Sequence, residues 1–321
     1  MPSNRYARAR QSARAKVVET IEKFTQRVRS DTGKWKLSAE QQTILDCLLV
    51  KRLQGRAVLS NWRVRKVASY AFIDAMLEHW RNDPERPLYF VTLCWDDGVS
   101  WEREPSFDVD FLVNKAQDHL RRRGLDGVGV LEFDAWKNIV GEPGRRMVGH
   151  AHFVGWAKRG TEFKPRGVEK ALCASAALTN TLGAAPVVIK TIGLKPNDIA
   201  HLAYYMLKAP AYAKNPKFDA ETGMKLFGAE HAQGSAARLF EVLTHLELGD
   251  VLFSIGSGKR IAARVREAVA ESVTAGRGNL PTPSRSQISE FWRDARKENG
   301  SKKFREPRIK TRYLRRVGRF N

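Results

Sequence analysis

The stretch RRMVGHAHFVGW, residues 145–156, places two histidines two positions apart in an otherwise apolar run. Its β-branched and aromatic residues predict a strand. Because side chains alternate along a strand, His150 and His152 point to the same face and can converge on one metal ion. Two hydrogen-bonded core histidines would give the same pattern, so the neighbouring sequence has to decide between these interpretations.

The strand expected before the histidines carries two carboxylates at the same spacing. In GVGVLEFDAW, residues 127–136, Glu132 and Asp134 share one face. If the chain turns back at Gly141 or Glu142, that face lies beside the histidines. Two histidines and a carboxylate with open positions are typical of a catalytic metal site rather than a closed structural one. We expect Glu132 to be the first choice of carboxylate ligand and Asp134 the second.

A helix with two unlike faces is predicted for DIAHLAYYMLKA, residues 198–209. At 100° per residue one side is apolar, and the opposite side collects His201, Tyr204, Tyr205 and Lys208. An ordinary solvated face is the alternative interpretation, because tyrosines often cover helix edges.

Strands and helices alternate through the middle of the chain. We expect strands at 88–95, 126–135, 146–156 and 186–192, with a helix at 197–209 closing the order β-α-β-β-α-β-α. The central hairpin makes at least part of the sheet antiparallel, and the fold class is α+β with packed helices. Four segments are predicted: a basic helical N-terminal region (1–86), the α+β domain (87–215), a helical C-terminal region (216–300) and a basic tail (301–321).

Charge restricts the class of partner. The 321 residues include 56 Lys and Arg against 35 Asp and Glu, a net charge of +21, which favours nucleic acid or an anionic membrane surface. No stretch approaches the ~18 consecutive apolar residues of a membrane span, and the N-terminus lacks a secretory signal. Its Arg- and Ser-rich start fits a basic nucleic-acid-binding arm or an organellar transit peptide. Three cysteines without a CxxC pair indicate a reduced cytosol and small buried residues: Cys47, Cys94 and Cys173.

Three motifs, in this order, resemble those of HUH endonucleases of the rolling-circle replication-initiator (Rep) class. They are YFVTLCW, HAH as His-hydrophobic-His, and YMLK as Tyr-x-x-Lys, within roughly 87–215. The resemblance implies a ferredoxin-like (RRM-like) antiparallel sheet and a divalent metal, Mg²⁺ or Mn²⁺. It also implies a tyrosine that nicks and rejoins single-stranded DNA through a 5′-phosphotyrosine. Carried over by position, His150 and His152 bind the metal, Tyr205 is the nucleophile and Lys208 its helix companion.

Departures from the family's pattern refine this expectation. Where two-tyrosine members carry their second tyrosine, this chain has His201, so it resembles a single-nucleophile enzyme. Tyr204 is also within reach of Lys208 and stays open as the nucleophile. The helical wheel places Tyr205 beside the apolar Leu202 and Ala209, so we expect the Tyr204 ring to be the less confined of the two and favour Tyr205. The motif order favours the plasmid or phage branch. That branch implies single-stranded or hairpin origin DNA, a host helicase as partner and the cytoplasm of a bacterial host, without a membrane.

Several basic residues outside the motifs are expected to bind DNA. Lys259 and Arg260 open a predicted helix, whose N-terminus can hold a phosphate, and His201 lies on the tyrosine helix. The tail interleaves cations with aromatic rings, as single-strand binding requires, and we single out Arg312, Arg315 and Arg316. A solvated tail is the alternative. The alternative function is a non-catalytic packaging or regulatory protein on an RRM-like sheet, which would need exposed aromatics where this strand has histidines.

Overall fold

The computed structural model describes residues 2–139, 144–219, 223–274, 278–299 and 304–311. The helices within these ranges are α1 (Pro2–Thr32), α2 (Ala39–Leu49), α3 (Trp62–Asn82), α4 (Val109–Arg122), α5 (Pro165–Cys173), α6 (Pro196–Met206), α7 (Ser235–Thr244), α8 (Leu248–Val251), α9 (Lys259–Ser272) and α10 (Arg285–Glu298). The strands are β1 (Leu53–Gln54), β2 (Leu88–Leu93), β3 (Val99–Trp101), β4 (Ser106–Asp108), β5 (Leu125–Trp136), β6 (Arg146–Ala157), β7 (Val187–Ile192), β8 (Ala213–Asp219), β9 (Gly223–Ala229), β10 (Leu252–Ile255), β11 (Leu280–Pro281) and β12 (Arg308–Lys310).

Eight of the described strands form one mixed sheet around the β5–β6 hairpin. Beyond β6 lie β2 and then β7, all antiparallel, and β3 extends the same edge of β6. Beyond β5 lie β10, which is antiparallel, and β8, which meets β5 in a parallel bridge between Trp136 and Lys214. Strand β9 pairs with β8. The four predicted strands therefore share one sheet, and the α+β class is confirmed.

The register of the β5–β6 hairpin sorts its side chains onto two faces. Glu132 lies opposite His150, so the carboxylates and the histidines share one face. The other face carries Phe133, whose ring packs against that of Phe107 (4.9 Å between centroids) where α4 begins. Tyr205 of helix α6 lies on the histidine face, with its ring 5.2 Å from that of His152. The hairpin turn itself, predicted at Gly141 or Glu142, lies outside the described residues.

Helices α1 and α3 hold α6 against the sheet. Lys16 Nζ of α1 lies 3.2 Å from Nδ1 of His201, and the Ser69 hydroxyl of α3 donates to the Leu207 carbonyl (3.4 Å). One stripe of α1 is buried at helical spacing, which places this long helix on the core: Ala9, Ala13, Val17, Ile21, Phe24 and Val28. The N-terminal helices thus cover the helix that carries the tyrosines.

Several element boundaries differ from the prediction. Helix α1 begins at Pro2, so the segment interpreted as a basic arm forms its first turns, and Tyr6 packs against Trp80 (5.7 Å). Helix α6 ends at Met206 rather than at 209, and Leu207 is its C-cap residue. Lys208 therefore follows the helix.

The C-terminal region contains strands that the sequence did not predict. Strands β8, β9 and β10 lie in a region expected to be helical, and β12, within the expected basic tail, pairs with β4. Strands β10 and β12 are short and their partners are distant in sequence, so local patterns carry little signal for them, whereas β8 and β9 have seven residues each and pair with each other. Of the three cysteines, Cys173 is exposed rather than buried. No helix in the described ranges is long and apolar enough to cross a lipid bilayer.

Candidate metal centre

Three buried side chains from the central hairpin converge on one point: Glu132, His150 and His152. The two Nε2 atoms of the histidines lie 3.0 Å apart. Oε2 of Glu132 lies 3.4 Å from Nε2 of His150 and 2.9 Å from Nε2 of His152. The predicted pair of histidines and the predicted first-choice carboxylate are thus neighbours.

The outer nitrogen of each ring, Nδ1, has a partner that can accept a hydrogen bond from it. Nδ1 of His150 faces the Val148 carbonyl at 3.5 Å, and a carbonyl only accepts, so the proton belongs on Nδ1. Nδ1 of His152 lies 3.1 Å from the Thr92 hydroxyl, which can accept in the same way. With the proton on Nδ1 of both rings, each Nε2 carries a lone pair directed at the Glu132 oxygen. Three electron-pair donors this close repel one another unless a cation lies between them.

The separations suit a metal ion. With ligand bonds of about 2.1 Å, neighbouring ligand atoms are about 3.0 Å apart in an octahedral shell and about 3.4 Å apart in a tetrahedral one. The three measured separations, 2.9, 3.0 and 3.4 Å, cover this range. Oε2 of Glu132 is buried without a hydrogen-bond partner among the described residues, as expected of an oxygen that ligates an ion. The triad can therefore hold a metal ion.

Charges around the triad keep it in the ligating form. Burial alone would raise the pKa of Glu132, but the Lys208 ammonium and the two imidazoles outweigh it and hold that pKa well below its usual range. Lys208 Nζ bonds directly to Oε1 of Glu132, the oxygen turned away from the histidines. Burial lowers the pKa of His152 to about 4, so this ring is neutral at physiological pH. An ionised carboxylate and a neutral imidazole are the forms that bind metal.

Asp134, the second predicted carboxylate, stands at the edge of the triad. Its Oδ2 atom lies 3.8 Å from Nε2 of His150 and 3.6 Å from Nζ of Lys214. The Asp134 carboxylate raises the pKa of Lys214. Asp134 therefore lies next to the triad without being part of it. It pairs with Lys214, a residue that was not predicted to belong to the site.

The two tyrosines of α6 face different surroundings. The Tyr205 ring lies 5.2 Å from that of His152, and Nζ of Lys208 lies 4.1 Å from the Tyr205 ring centroid. Tyr204 turns toward α1, is only 9% exposed, and its pKa is raised by burial. The expectation that Tyr204 would be the less confined ring is wrong, because α1 covers it. Tyr205 is the tyrosine on the histidine side of the sheet.

Arg65 of α3 is a further residue behind the site that the sequence analysis missed. Its Nη1 donates to the carbonyl of Lys208 at 3.2 Å. Burial lowers the pKa of Arg65 to about 10, against the opposing effect of Glu132. A buried cation in α3 therefore fixes the backbone of the lysine that pairs with the triad. Only its position in an amphipathic helix, on the side facing the core, could have indicated this role.

Three of the predicted DNA-binding residues lie on helices and not on the hairpin that carries the triad: Lys259 and Arg260 on α9, and His201 on α6. Lys259 and Arg260 are exposed in the first turn of α9, as predicted. The N–H and hydroxyl of Ser257, just before that helix, already donate to the Asp126 carboxylate (3.0 and 2.8 Å). His201 is exposed beside Lys16. Three further predicted residues lie outside the described ranges: Arg312, Arg315 and Arg316. DNA binding by all of these residues stays a prediction.

The chain matches no protein-family model, and no curated protein or solved structure is significantly similar to it.

Proposed function

We propose that the chain is a metal-dependent enzyme that nicks and rejoins single-stranded DNA through a 5′-phosphotyrosine, as HUH replication initiators do. In this proposal Mg²⁺ or Mn²⁺ binds Glu132, His150 and His152 on a ferredoxin-like core. The observation that carries the proposal is the position of Tyr205 beside His152, with the Lys208 ammonium over its ring. A phenol next to a metal-binding triad suits phosphoryl transfer to tyrosine.

A bound metal ion would polarise the scissile phosphate by holding one of its non-bridging oxygens. Tyr205 supplies the nucleophile: a bond forms between its oxygen and phosphorus, and the bond from phosphorus to the 3′-oxygen breaks. The phenol proton passes to water, and the 3′-oxygen takes one up. Lys208 favours the phenolate by its charge. Because the phosphodiester bond is exchanged rather than hydrolysed, a 3′-hydroxyl can reverse the step without ATP.

The net charge of +21 supports a polyanionic substrate, and we include single-stranded or hairpin origin DNA as the partner. A complete Walker A motif is absent from the sequence, since Phe253 and Arg260 stand where Gly and Ser or Thr are required. A separate helicase of a bacterial host, acting in its cytoplasm, would therefore supply the unwinding.

The same ligand set, two histidines and one carboxylate, also holds iron(II) in oxygenases. Two features favour phosphate chemistry here. Lys208 binds the far oxygen of the Glu132 ligand from its buried side, and Lys214 lies beside the triad and lines the same pocket as His150 and His152, so a cation faces the place where an anionic group would sit. The adjacent phenol of Tyr205 provides a nucleophile that an oxygenase does not need.

The proposal is tested by trapping the covalent intermediate. Labelled single-stranded oligonucleotides are incubated with protein and Mn²⁺, and adducts are resolved on denaturing gels. We expect an adduct with the parent protein, none with Tyr205→Phe, and at most a few-fold slower formation with the matched variant Tyr204→Phe. Peptide mapping locates the nucleotide. An adduct on Tyr204 would reverse the assignment, and DNA binding without any adduct would leave the non-catalytic alternative.

A further inference from the structure

A pocket of about 370 Å³ opens directly beside the triad. It lies between β7, the β5–β6 hairpin and the β8–β9 hairpin, and His150, His152 and Tyr205 form one of its sides. Small-molecule sites are about 300–1,000 Å³, so this pocket holds one nucleotide-sized group and not a duplex. A group bound in this pocket therefore lies next to the triad and Tyr205.

The walls of the pocket suit a flat aromatic ring. Phe90 and Trp136 are aromatic, and Val188, Met224 and Leu226 are aliphatic. Enzymes that act on nucleic acids commonly hold an unstacked base between such side chains. At the rim, Lys190 is exposed, where it can meet a backbone phosphate.

Two polar atoms of the wall are buried and make no hydrogen bond within the described part of the chain: Oδ2 of Asp134, which has only the ion pair with Lys214 Nζ at 3.6 Å, and Nε1 of Trp136. Both residues line the pocket and are almost fully buried, at 1% and 2% exposure. They are two residues apart on β5 and share its histidine face. Buried polar atoms without a hydrogen bond are rare in native proteins, so an acceptor and a donor that both lack one, side by side, point to a ligand that bonds to both.

We propose that this pocket receives one unstacked nucleobase next to the scissile phosphate, with Asp134 accepting from its N–H groups and Trp136 Nε1 donating to its carbonyl oxygen. Guanine fits best, because its Watson–Crick edge offers two adjacent N–H donors to one carboxylate, with a carbonyl oxygen beside them. The assignment of the base to the scissile position rests on the DNA-nicking function proposed above.

Sequencing of captured DNA tests the proposal. A randomised single-stranded pool is incubated with protein and Mn²⁺, and the covalently captured strands are read. We expect guanine to be enriched about tenfold or more at one position adjacent to the joined phosphate, as good base-edge contacts give. Trp136→Phe keeps the ring and removes the donor, so it should reduce that enrichment several-fold. No enriched base beside the joined phosphate, or equal enrichment in Trp136→Phe, would overturn the proposal.

Two exposed side chains of strand β9 offer a matched pair of variants that do not change the buried core. Leu226 and Phe227 are neighbours with similar exposure, 42% and 46%, but Leu226 lines the pocket, whereas Phe227 packs beside Lys217. Leu226→Ala should weaken the base preference, and Phe227→Ala should keep it. If Trp136→Phe does not fold, this pair decides alone: equal base preference in both variants rejects the pocket.

Nucleotide binding separates this inference from the proposed function. Binding of dGMP, the other deoxynucleoside monophosphates and deoxyribose 5-phosphate is measured by calorimetry with Mn²⁺. Tighter binding of dGMP than of sugar phosphate by about tenfold or more, abolished in Trp136→Phe, supports the pocket even if no adduct forms. Equal binding of dGMP and sugar phosphate rejects the pocket, whether or not the protein cuts DNA.

Discussion

Removing the charge of Glu132 should abolish metal stabilisation of the fold. Glu132→Gln keeps the shape of the side chain but takes a carboxylate from the triad and leaves the Lys208 ammonium without its partner. Side-chain exposures of 7% for Glu132 and 13% for Lys208 make this a buried pair. Breaking a buried ion pair from one side costs about 3–5 kcal/mol, so the metal-free variant should be less stable by that order.

The metal effect follows from mass action. An ion present at 100 times its dissociation constant stabilises the folded state by about 2.7 kcal/mol. At about 2 °C for each kcal/mol, the parent protein should gain about 5 °C in Tm. In Glu132→Gln the gain should fall to near zero, because a neutral amide binds a divalent cation weakly and Lys208 now repels the ion.

The assay is thermal unfolding in EDTA and in a Mn²⁺ series, for the parent and for two variants. Asp126→Asn is the control: it makes the same chemical change on β5, where Asp126 binds Ser257 far from the triad. It should keep the full metal-induced gain. An equal gain in Glu132→Gln and in the parent would place the metal elsewhere and refute the triad.

Three further predictions concern DNA and pH. His152→Ala should abolish strand cleavage but keep most DNA affinity in filter binding, since affinity comes from distributed charge; retained cleavage would reject the metal site. Deletion of 312–321, which leaves β12 intact, should flatten the log–log salt dependence of DNA binding by about 0.7 for each phosphate that the tail neutralises; an unchanged slope would mean a solvated tail. Burial lowers the pKa of His245 to about 4 in the folded protein, against 6.5 in the unfolded chain. The contribution of the neutral His245 to stability is therefore fully present above pH 6.5 and is lost as the pH falls toward 4. Over that range the parent should lose about 3 kcal/mol more than His245→Gln in denaturant titrations; parallel pH profiles would contradict the shift.

The sequence by itself determined the local part of the site. The two-residue period of a strand puts His150 and His152 on one face, and the same period pairs Glu132 with Asp134. The short connection between the two segments makes them a hairpin, and a hairpin brings those faces together. Likewise, the helical period places Tyr204 and Tyr205 as neighbours on α6, whereas Lys208 lies beyond the end of that helix at Met206.

Only the tertiary structure decided which of two nearby residues belongs to the site, Glu132 or Asp134 and Tyr205 or Tyr204. Glu132 is the carboxylate of the triad because the strand register sets it opposite His150, and register depends on pairing along the whole hairpin. Tyr205 faces the histidines because α1 packs over Tyr204 from the other side. The helical wheel selected Tyr205 for a different reason, the confinement of its ring, and that reason did not hold.

Contributions from distant segments could not be read from local patterns at all. Lys214 reaches Asp134 because β8 meets β5 at Trp136, and Arg65 reaches Lys208 because α3 packs on α6. Strand β10 exists because β5 offers it an open edge. Periodicity records which face of an element is buried, whereas the partner of that face depends on contacts across the whole chain, and only the folded arrangement decides them.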